Sequence, residues 1–148
     1  MYNYKLQSVN EQDTLSIGQK IGNILKSGDI LALDGNLGIG KTVLVKGIAV
    51  ALDIKEAIVS PSFTLINEYS GRFPFYHFDF YRIDSELELI DLGYEDYFYS
   101  DGVCVVEWAG KIHNVFPDYA IHVKMEFADI KDSLKRKINI LCQRQIMF

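Results

Sequence analysis

Residues 35 to 42 constrain the fold of this chain more than any other part of its sequence. They read Gly-Asn-Leu-Gly-Ile-Gly-Lys-Thr, which matches the pattern GxxxxGK[ST] in full. Such a loop works between a buried strand and a helix, because its amides must converge at the helix N-terminus. Ile30 to Leu33 are a short apolar run that predicts the strand, and Thr42 to Leu52 are apolar nearly all round, which predicts a packed helix.

The residue types in this loop suit the binding of a nucleotide polyphosphate. Glycines let the backbone curl tightly, so that successive N–H groups point at one phosphate. Lys41 adds a full positive charge against the β- and γ-phosphates, and the Thr42 hydroxyl is placed to ligate Mg²⁺. The alternative, a helix-capping turn without a ligand, gives Lys41 no reason to lie there. The predicted nucleotide contacts in the loop are Gly35, Asn36, Leu37, Gly38, Ile39, Gly40, Lys41 and Thr42.

Two carboxylates are the candidate acids for phosphoryl chemistry. Glu107 follows the apolar strand predicted at Val103 to Val106, and a buried carboxylate at such a position is costly unless it faces a cation. Asp79 shares the polar face of an aromatic strand with His77. Simpler interpretations stay open: Glu107 as an ordinary strand end, and Asp79 as a surface residue or a partner for Arg82.

Two further features are ambiguous on the residues alone. Ser60 to Thr64 read Ser-Pro-Ser-Phe-Thr, and this hydroxyl-rich segment either reaches a γ-phosphate as a switch does or forms an ordinary loop with a rigid Pro turn. Trp108 is the only tryptophan, and packing is its simpler interpretation.

The remaining patterns predict a mixed sheet flanked by helices. Asn10 is a candidate N-cap for a helix that Gly28 ends, and Ser85 to Glu88 form a candidate capping box for a short helix that Gly93 ends. The further strands are predicted at Phe63 to Tyr69, Phe73 to Phe80, Tyr119 to Phe127 and Arg136 to Cys142, the first two as an antiparallel pair. The expected fold class is therefore α/β, a three-layer P-loop NTPase-like domain with a mixed parallel/antiparallel sheet, as a single domain over residues 1 to 148.

Charge and composition narrow the range of partners. The formal net charge is −5 and the pI about 5.1, which argues against a chain that clamps nucleic acid by its own field. The one basic cluster, at residues 131 to 137, is diluted by acidic neighbours and predicts a solvated turn. No apolar run suits a bilayer and no signal peptide is evident, so we expect a cytoplasmic protein. Cys104 and Cys142 are expected to be buried free thiols.

Five ordered segments carry a family resemblance across residues 28 to 108. They are LDGNLGIGKT, SPSFTLINEY, HFDFYRI, LIDLGYEDYF and VCVVEW. In this order and spacing they resemble the TsaE (YjeE) family, the small P-loop ATPases of bacterial tRNA threonylcarbamoyladenosine biosynthesis. Two departures are visible: Gly110 stands where an acidic residue is frequent, and Ile39 replaces a usual Ala.

The resemblance implies a role and a set of residues. Members bind ATP or ADP with Mg²⁺ and act with TsaB and TsaD in modifying adenosine 37 of tRNA, so tRNA is met only through the complex. It implies Thr42 and Glu107 on the metal with Asp79 beside them, and Lys41, Asp79 and Glu107 as the catalytic set. It makes Ser60 to Thr64 switch-like, Thr64 included. It also places Trp108 at the active-site or partner surface, with Glu11 and Arg136 near the base or ribose.

The sequence thus predicts a Mg-dependent ATPase that is weak alone and completed by its partners, since no lid or arginine finger is identifiable in it. Two alternatives remain open. One is an adaptor that senses a nucleotide without hydrolysing it, and the other, less favoured, is a small-molecule kinase, which needs an Arg-rich lid that the sequence lacks.

Overall fold

The computed structural model describes residues 1 to 148 as a seven-stranded mixed sheet with helices on both faces. The strands are β1 Tyr2–Ser8, β2 Ile30–Gly35, β3 Ile66–Ser70, β4 Pro74–Asp79, β5 Val103–Glu107, β6 Ile121–Asp129 and β7 Asp132–Cys142. The helices are α1 Glu11–Ile24, α2 Lys41–Ala51, α3 Glu86–Leu92 and α4 Tyr94–Phe98, with a 3-10 segment at Ala109–Val115.

The sheet is parallel at its centre and antiparallel at both edges. Its strand order is β1-β7-β6-β2-β5-β4-β3; β2 runs parallel to β5 and β6, β4 runs parallel to β5, and the remaining neighbours are antiparallel. The carboxyl ends of the parallel strands therefore meet at one edge, which is where ligands bind in open α/β sheets. The predicted α/β class with a mixed sheet is confirmed.

Two apolar layers hold the helices to the sheet, which confirms the predicted three-layer arrangement. One layer joins the sheet to α1 and α2 and includes Leu31, Leu44 and Ile48; the other lies under α3, α4 and the 3-10 segment and includes Phe78 and Phe98. Strand alternation explains the division, because successive side chains of a strand point to opposite faces. None of the helices combines the length and apolar character that a bilayer crossing requires.

Helices α1 and α2 approach each other through glycines. A Cβ atom at Gly47 would lie 2.2 Å from the carbonyl oxygen of Leu15, and one at Gly18 would lie 2.3 Å from that of Leu44. Only glycine allows the two backbones to pack this closely. The contact also fixes the N-terminal end of α1 relative to the loop that precedes α2.

Several predicted boundaries are wrong for local reasons. Helix α1 ends at Ile24 rather than at Gly28, which lies in the following turn at φ +87° and donates its N–H to the Gly102 carbonyl. The first strand of the hairpin begins at Ile66 rather than at Phe63, because Leu65 has φ +69°. The capping box does not form: the Ser85 side chain caps nothing.

The structure also contains elements that the sequence analysis did not predict. They are β1, α4 and the 3-10 segment. β1 pairs only with β7, so it is an edge strand, and its alternation of exposed and half-buried residues is weak. The hairpin from β6 to β7 turns at Ile130 and Lys131, so three of the four basic residues predicted in a solvated turn lie on β7.

Candidate active site

The loop between β2 and α2 turns its amides toward a cleft. Gly38 and Gly40 have φ values of +77° and +107°, which only glycine adopts without strain. The first helical hydrogen bond of α2 is donated by the Leu44 N–H to the Gly40 carbonyl at 3.1 Å. The N–H groups of Lys41, Thr42 and Val43 precede that bond, so they make no intrahelical bond and face an incoming ligand. This arrangement suits an anion at the helix N-terminus.

Lys41 is a buried cation at the centre of the site. Its Nζ donates to the carbonyl oxygens of Gly35 at 2.5 Å and Asn36 at 3.0 Å, and it lies 4.2 Å from the centroid of the Trp108 ring. Burial lowers the pKa of Lys41, while the negative charges of Glu107, Asp79 and Asp34 oppose that shift. The lysine therefore lies within reach of both the phosphate loop and the candidate acids.

The two candidate acids lie side by side at the carboxyl edge of the sheet. Asp79 ends β4 and Glu107 ends β5, and they are direct partners in the parallel register. Both are buried, at 5% and 4% exposure, which excludes the interpretation of Asp79 as a surface residue. Burial raises the pKa of Asp79, the charge of Glu107 adds to the rise, and the hydrogen bond from the Tyr81 N–H to Asp79 Oδ1 at 2.8 Å opposes it.

His77 is a buried neighbour of Glu107 that was not among the predicted site residues. Its side chain is fully buried, and Nε2 lies 2.6 Å from Oε2 of Glu107. The other ring nitrogen, Nδ1, is buried without a hydrogen-bond partner. A buried carboxylate needs such a partner, so His77 holds Glu107 in place. The signal was present in the alternation, because His77 and Asp79 are two residues apart on one face of β4.

The phosphate loop, Lys41 and the two acids line one cleft of about 640 Å³, a size that suits a nucleotide. The predicted site residues that line it are Glu11, Leu37, Gly38, Ile39, Gly40, Lys41, Thr42, Asp79, Glu107, Trp108 and Arg136. Three predicted residues do not line it. Gly35 and Asn36 instead hold Lys41 through their carbonyls, and the Thr64 hydroxyl donates to Oδ1 of Asn67 at 2.7 Å.

The cleft has further lining residues outside the predicted set. They are Asn10, Thr14, Val43, Ser60, Ser62, Tyr81, Arg82 and Leu134. Ser60 and Ser62 belong to the segment singled out as switch-like. No salt bridge joins Arg82 to Asp79, and Asp79 Oδ1 instead accepts from the Tyr81 N–H. The alternative of an Asp79–Arg82 pair is therefore wrong.

Arg136 braces the phosphate loop rather than lying in a solvated turn. Its Nε donates to the Ile39 carbonyl at 2.7 Å, and its guanidinium lies 4.5 Å from the centroid of the Phe127 ring. Ile39 itself is 1% exposed and belongs to the core, which explains how a bulkier residue than Ala is accommodated. The hairpin from β6 to β7 thus supports the loop from the side opposite to Glu107.

The glycine at position 110, where an acidic residue was expected from the resemblance, is explained by its contact with Asp34. Its N–H donates to Oδ1 of Asp34 at 2.8 Å, and a Cβ atom there would lie 3.2 Å from the same oxygen. An acidic side chain at this position would crowd and repel Asp34. The neighbouring carboxylate of Asp34 therefore explains why position 110 is a glycine and not an acidic residue in this chain.

The donor set fits a magnesium ion that arrives with a nucleotide. No group of three or more His, Cys, Asp or Glu side chains is arranged to hold a metal by itself. Magnesium in phosphate loops needs no such cage, since phosphate oxygens, a loop hydroxyl and waters held by carboxylates complete its shell. Thr42, Asp79 and Glu107 line the same cleft and supply a hydroxyl and two carboxylates.

Comparisons with known proteins agree on one family. A family model described as "Threonylcarbamoyl adenosine biosynthesis protein TsaE" matches residues 8–138. A protein of Bacillus subtilis (strain 168) named tRNA threonylcarbamoyladenosine biosynthesis protein TsaE is 41% identical over 129 residues, 86% of this chain and 80% of that protein. One of Treponema pallidum (strain Nichols) with the same name is 40% identical over 118 residues, 80% of this chain and 87% of that protein.

A solved structure agrees with these matches. The crystal structure of YdiB from Bacillus subtilis superimposes with a TM-score of 0.81 at 34% sequence identity, covering 95% of this chain and 86% of that one. Sequence and fold therefore point to the same relatives.

Proposed function

Because this chain belongs to the TsaE family, we propose that it is the ATP-binding and ATP-hydrolysing subunit required for N6-threonylcarbamoyladenosine at position 37 of tRNA. One observation carries the proposal. A phosphate loop with its lysine shares a single cleft with two buried carboxylates, Asp79 and Glu107. A protein that only sensed a nucleotide would need the loop, whereas two buried acids beside it are what hydrolysis requires.

Each residue has a distinct part in the proposed reaction. The loop amides and Lys41 bind the β- and γ-phosphates, and the Thr42 hydroxyl with Glu107 would hold a magnesium ion that arrives with the nucleotide. Magnesium, when bound with ATP, neutralises the charge of the phosphates. Asp79 orients the attacking water and accepts its proton, a role that the raised pKa of Asp79 favours. His77 keeps Glu107 aligned.

The other end of the cleft is proposed to bind the nucleoside. Glu11 begins α1, and Arg136 lies on β7 beside the loop; both line the cleft away from the acids. The Trp108 ring lies tilted against that of Tyr81, with ring centroids 4.9 Å apart, and it also contacts Lys41. Adenine is proposed from the family, since the loop itself binds phosphates and not bases.

The proposed partners are the proteins TsaB and TsaD, and the proposed setting is the cytoplasm. The net charge of −5 supports contact with tRNA only through the complex. Ser60 and Ser62 line the cleft, so the segment from Ser60 to Thr64 is proposed to report the γ-phosphate to these partners.

The test measures binding and hydrolysis separately. Trp108 is the single tryptophan and lines the cleft, so its fluorescence reports nucleotide binding, while phosphate release reports hydrolysis with TsaB and TsaD present. We expect Glu107→Gln to bind ATP but to lose roughly 100-fold or more in kcat. We expect Lys41→Ala to lose binding as well.

Matched controls come from the same elements or residue types. Lys46→Ala removes an exposed lysine of α2, and Glu68→Gln neutralises an exposed glutamate of β3; both should behave as wild type. If Glu107→Gln releases phosphate at the wild-type rate, the hydrolytic assignment is wrong and the non-hydrolysing adaptor is favoured.

A further inference from the structure

Arg82 is an arginine in the active-site cleft with no acidic partner. It follows Asp79 by three residues and lines the same cleft as Lys41 and Glu107. No salt bridge of the structure involves Arg82, and its guanidinium lies over the ring of Phe63, 4.2 Å from the ring centroid. In phosphoryl transfer, an exposed arginine that forms no salt bridge is suited to stabilise the charge on the transferring phosphoryl group.

The backbone that carries Arg82 is fixed relative to Glu107. The N–H of Phe80 donates to the Glu107 carbonyl at 3.0 Å, and the N–H of Ile83 donates to the Phe80 carbonyl at 3.0 Å. Phe80 and Ile83 are both buried, at 1% and 2% exposure. The turn is therefore anchored on both sides of Arg82, and only its long side chain is free to change direction.

The backbone of the segment that carries Phe63 is held by hydrogen bonds, whereas the Phe63 side chain is exposed. The N–H of Val59 donates to a tyrosine hydroxyl of β3 at 3.1 Å, and the carbonyl of Leu65 accepts from the Asp79 N–H at 3.0 Å. Leu65 holds a left-handed conformation at φ +69°, which is strained for a branched side chain. Between these two points Phe63 is 80% exposed, so little besides Arg82 holds its ring.

Even with a magnesium ion on the phosphates, the negative charges of the site exceed the positive ones and favour a second cation from the protein. Asp79 and Glu107 place two carboxylates where a triphosphate binds, and Lys41 is the one buried cation beside them. Arg136 is already committed, because it donates to the Ile39 carbonyl on the far side of the loop. Arg82 is the remaining arginine of the cleft.

We propose, in a step that rests on the proposed function, that Arg82 is a catalytic arginine supplied by this chain itself. The Phe63 ring holds the Arg82 guanidinium until that guanidinium contacts the γ-phosphate. In the reaction the water oxygen bonds to the γ-phosphorus while the bond from that phosphorus to the bridging oxygen breaks. The bridging oxygen leaves with the electron pair as part of ADP; one proton of the water passes to Asp79, and the other stays on the inorganic phosphate. Arg82 keeps its own protons and lends only charge and hydrogen bonds.

The experiment compares Arg82→Ala with wild type in the assembly with TsaB and TsaD. We expect kcat to fall by roughly 1000-fold, the lower end of the range for a removed catalytic arginine, while the Kd for ADP changes less than about threefold. Affinity for ADP with aluminium fluoride, which mimics the transferring phosphoryl group, should fall at least about tenfold. Added guanidinium ion at millimolar concentration should restore part of the rate.

Arg72→Ala is the matched control, because Arg72 also stacks on a phenylalanine, 5.3 Å from the centroid of the Phe73 ring, but lies outside the cleft. It should keep wild-type kcat and show no effect of guanidinium. Arg82→Ala with kcat within threefold of wild type, or with equal losses of kcat and ADP affinity, overturns the proposal.

The same assay separates this proposal from the one on which it rests. If Glu107→Gln abolishes phosphate release but Arg82→Ala leaves it at the wild-type rate, only the role of Arg82 is overturned. If Glu107→Gln also releases phosphate at the wild-type rate, the proposed hydrolytic function is overturned, and the proposed role of Arg82 is overturned with it.

Discussion

From the close contact between α1 and α2 we predict that Gly47→Ala lowers the thermal stability of the protein. A Cβ atom at this position would lie 2.2 Å from the Leu15 carbonyl oxygen, whereas such contacts normally exceed 3.4 Å. The clash is with backbone, so no side-chain rotation relieves it, and α1 must move outward by roughly 1 Å in a close-packed interior.

Two opposing terms set the size of the effect. Overpacking of this kind costs about 1–3 kcal/mol, while replacing a mid-helix glycine by alanine returns up to about 1 kcal/mol of helix propensity. The separation of the helices also exposes apolar surface near Ile21 and Ile48, which are 1% and 0% exposed, so the cost should prevail. The net cost is then up to about 2 kcal/mol, and at roughly 2–4 °C per kcal/mol for a chain of this length we expect the melting temperature to fall by up to about 8 °C.

The displacement should reach the cleft as well. Asn10, Glu11 and Thr14, at the N-terminal end of α1, line the cleft, so their movement should weaken nucleotide binding. Calorimetric melting and titration with ADP, followed by Trp108 fluorescence, test both effects. Val50→Ala is the control, because Val50 lies on the same helix at 55% exposure and gains propensity without a clash. A Gly47→Ala protein that melts at or above the wild-type temperature would refute the reasoning.

Two further predictions concern stability and thiol reactivity. Arg144 donates to both carboxylate oxygens of Asp29, at 2.7 and 2.6 Å. Arg144→Ala should lower the free energy of unfolding in urea by about 1–3 kcal/mol, which is less than for a fully buried pair because Arg144 is one third exposed. Arg144→Lys should recover part of that loss. Equal stability of wild type and both variants would contradict this prediction. Burial raises the pKa of Cys104 to about 12 and also raises that of Cys142. A thiol reagent at pH 8 should therefore label neither cysteine in the native protein and both in urea, and rapid native labelling would contradict the burial argument.

The parts of the fold that the sequence predicted are those set by short-range patterns. The loop from Gly35 to Thr42 needs its glycines, its lysine and its two flanking elements in consecutive order, so one stretch of chain contains the whole signal. The strand ending at Glu107 is apolar without interruption, as buried parallel strands are. β1 carried no comparable signal, because an edge strand buries little and its partner β7 lies at the far end of the chain.

Alternation along β4 places His77 on the same face as Asp79, but its contact with Glu107 could not be predicted because the register between strands sets it. His77 reaches Glu107 only because β4 and β5 pair in parallel with Asp79 opposite Glu107, which puts the three side chains on one face of the sheet. A shift of one residue would turn His77 to the opposite face and leave Glu107 buried without its partner. The phosphate loop thus identifies the class of ligand from local sequence, whereas the alignment of the acids that would act on it depends on a pairing between strands 30 residues apart.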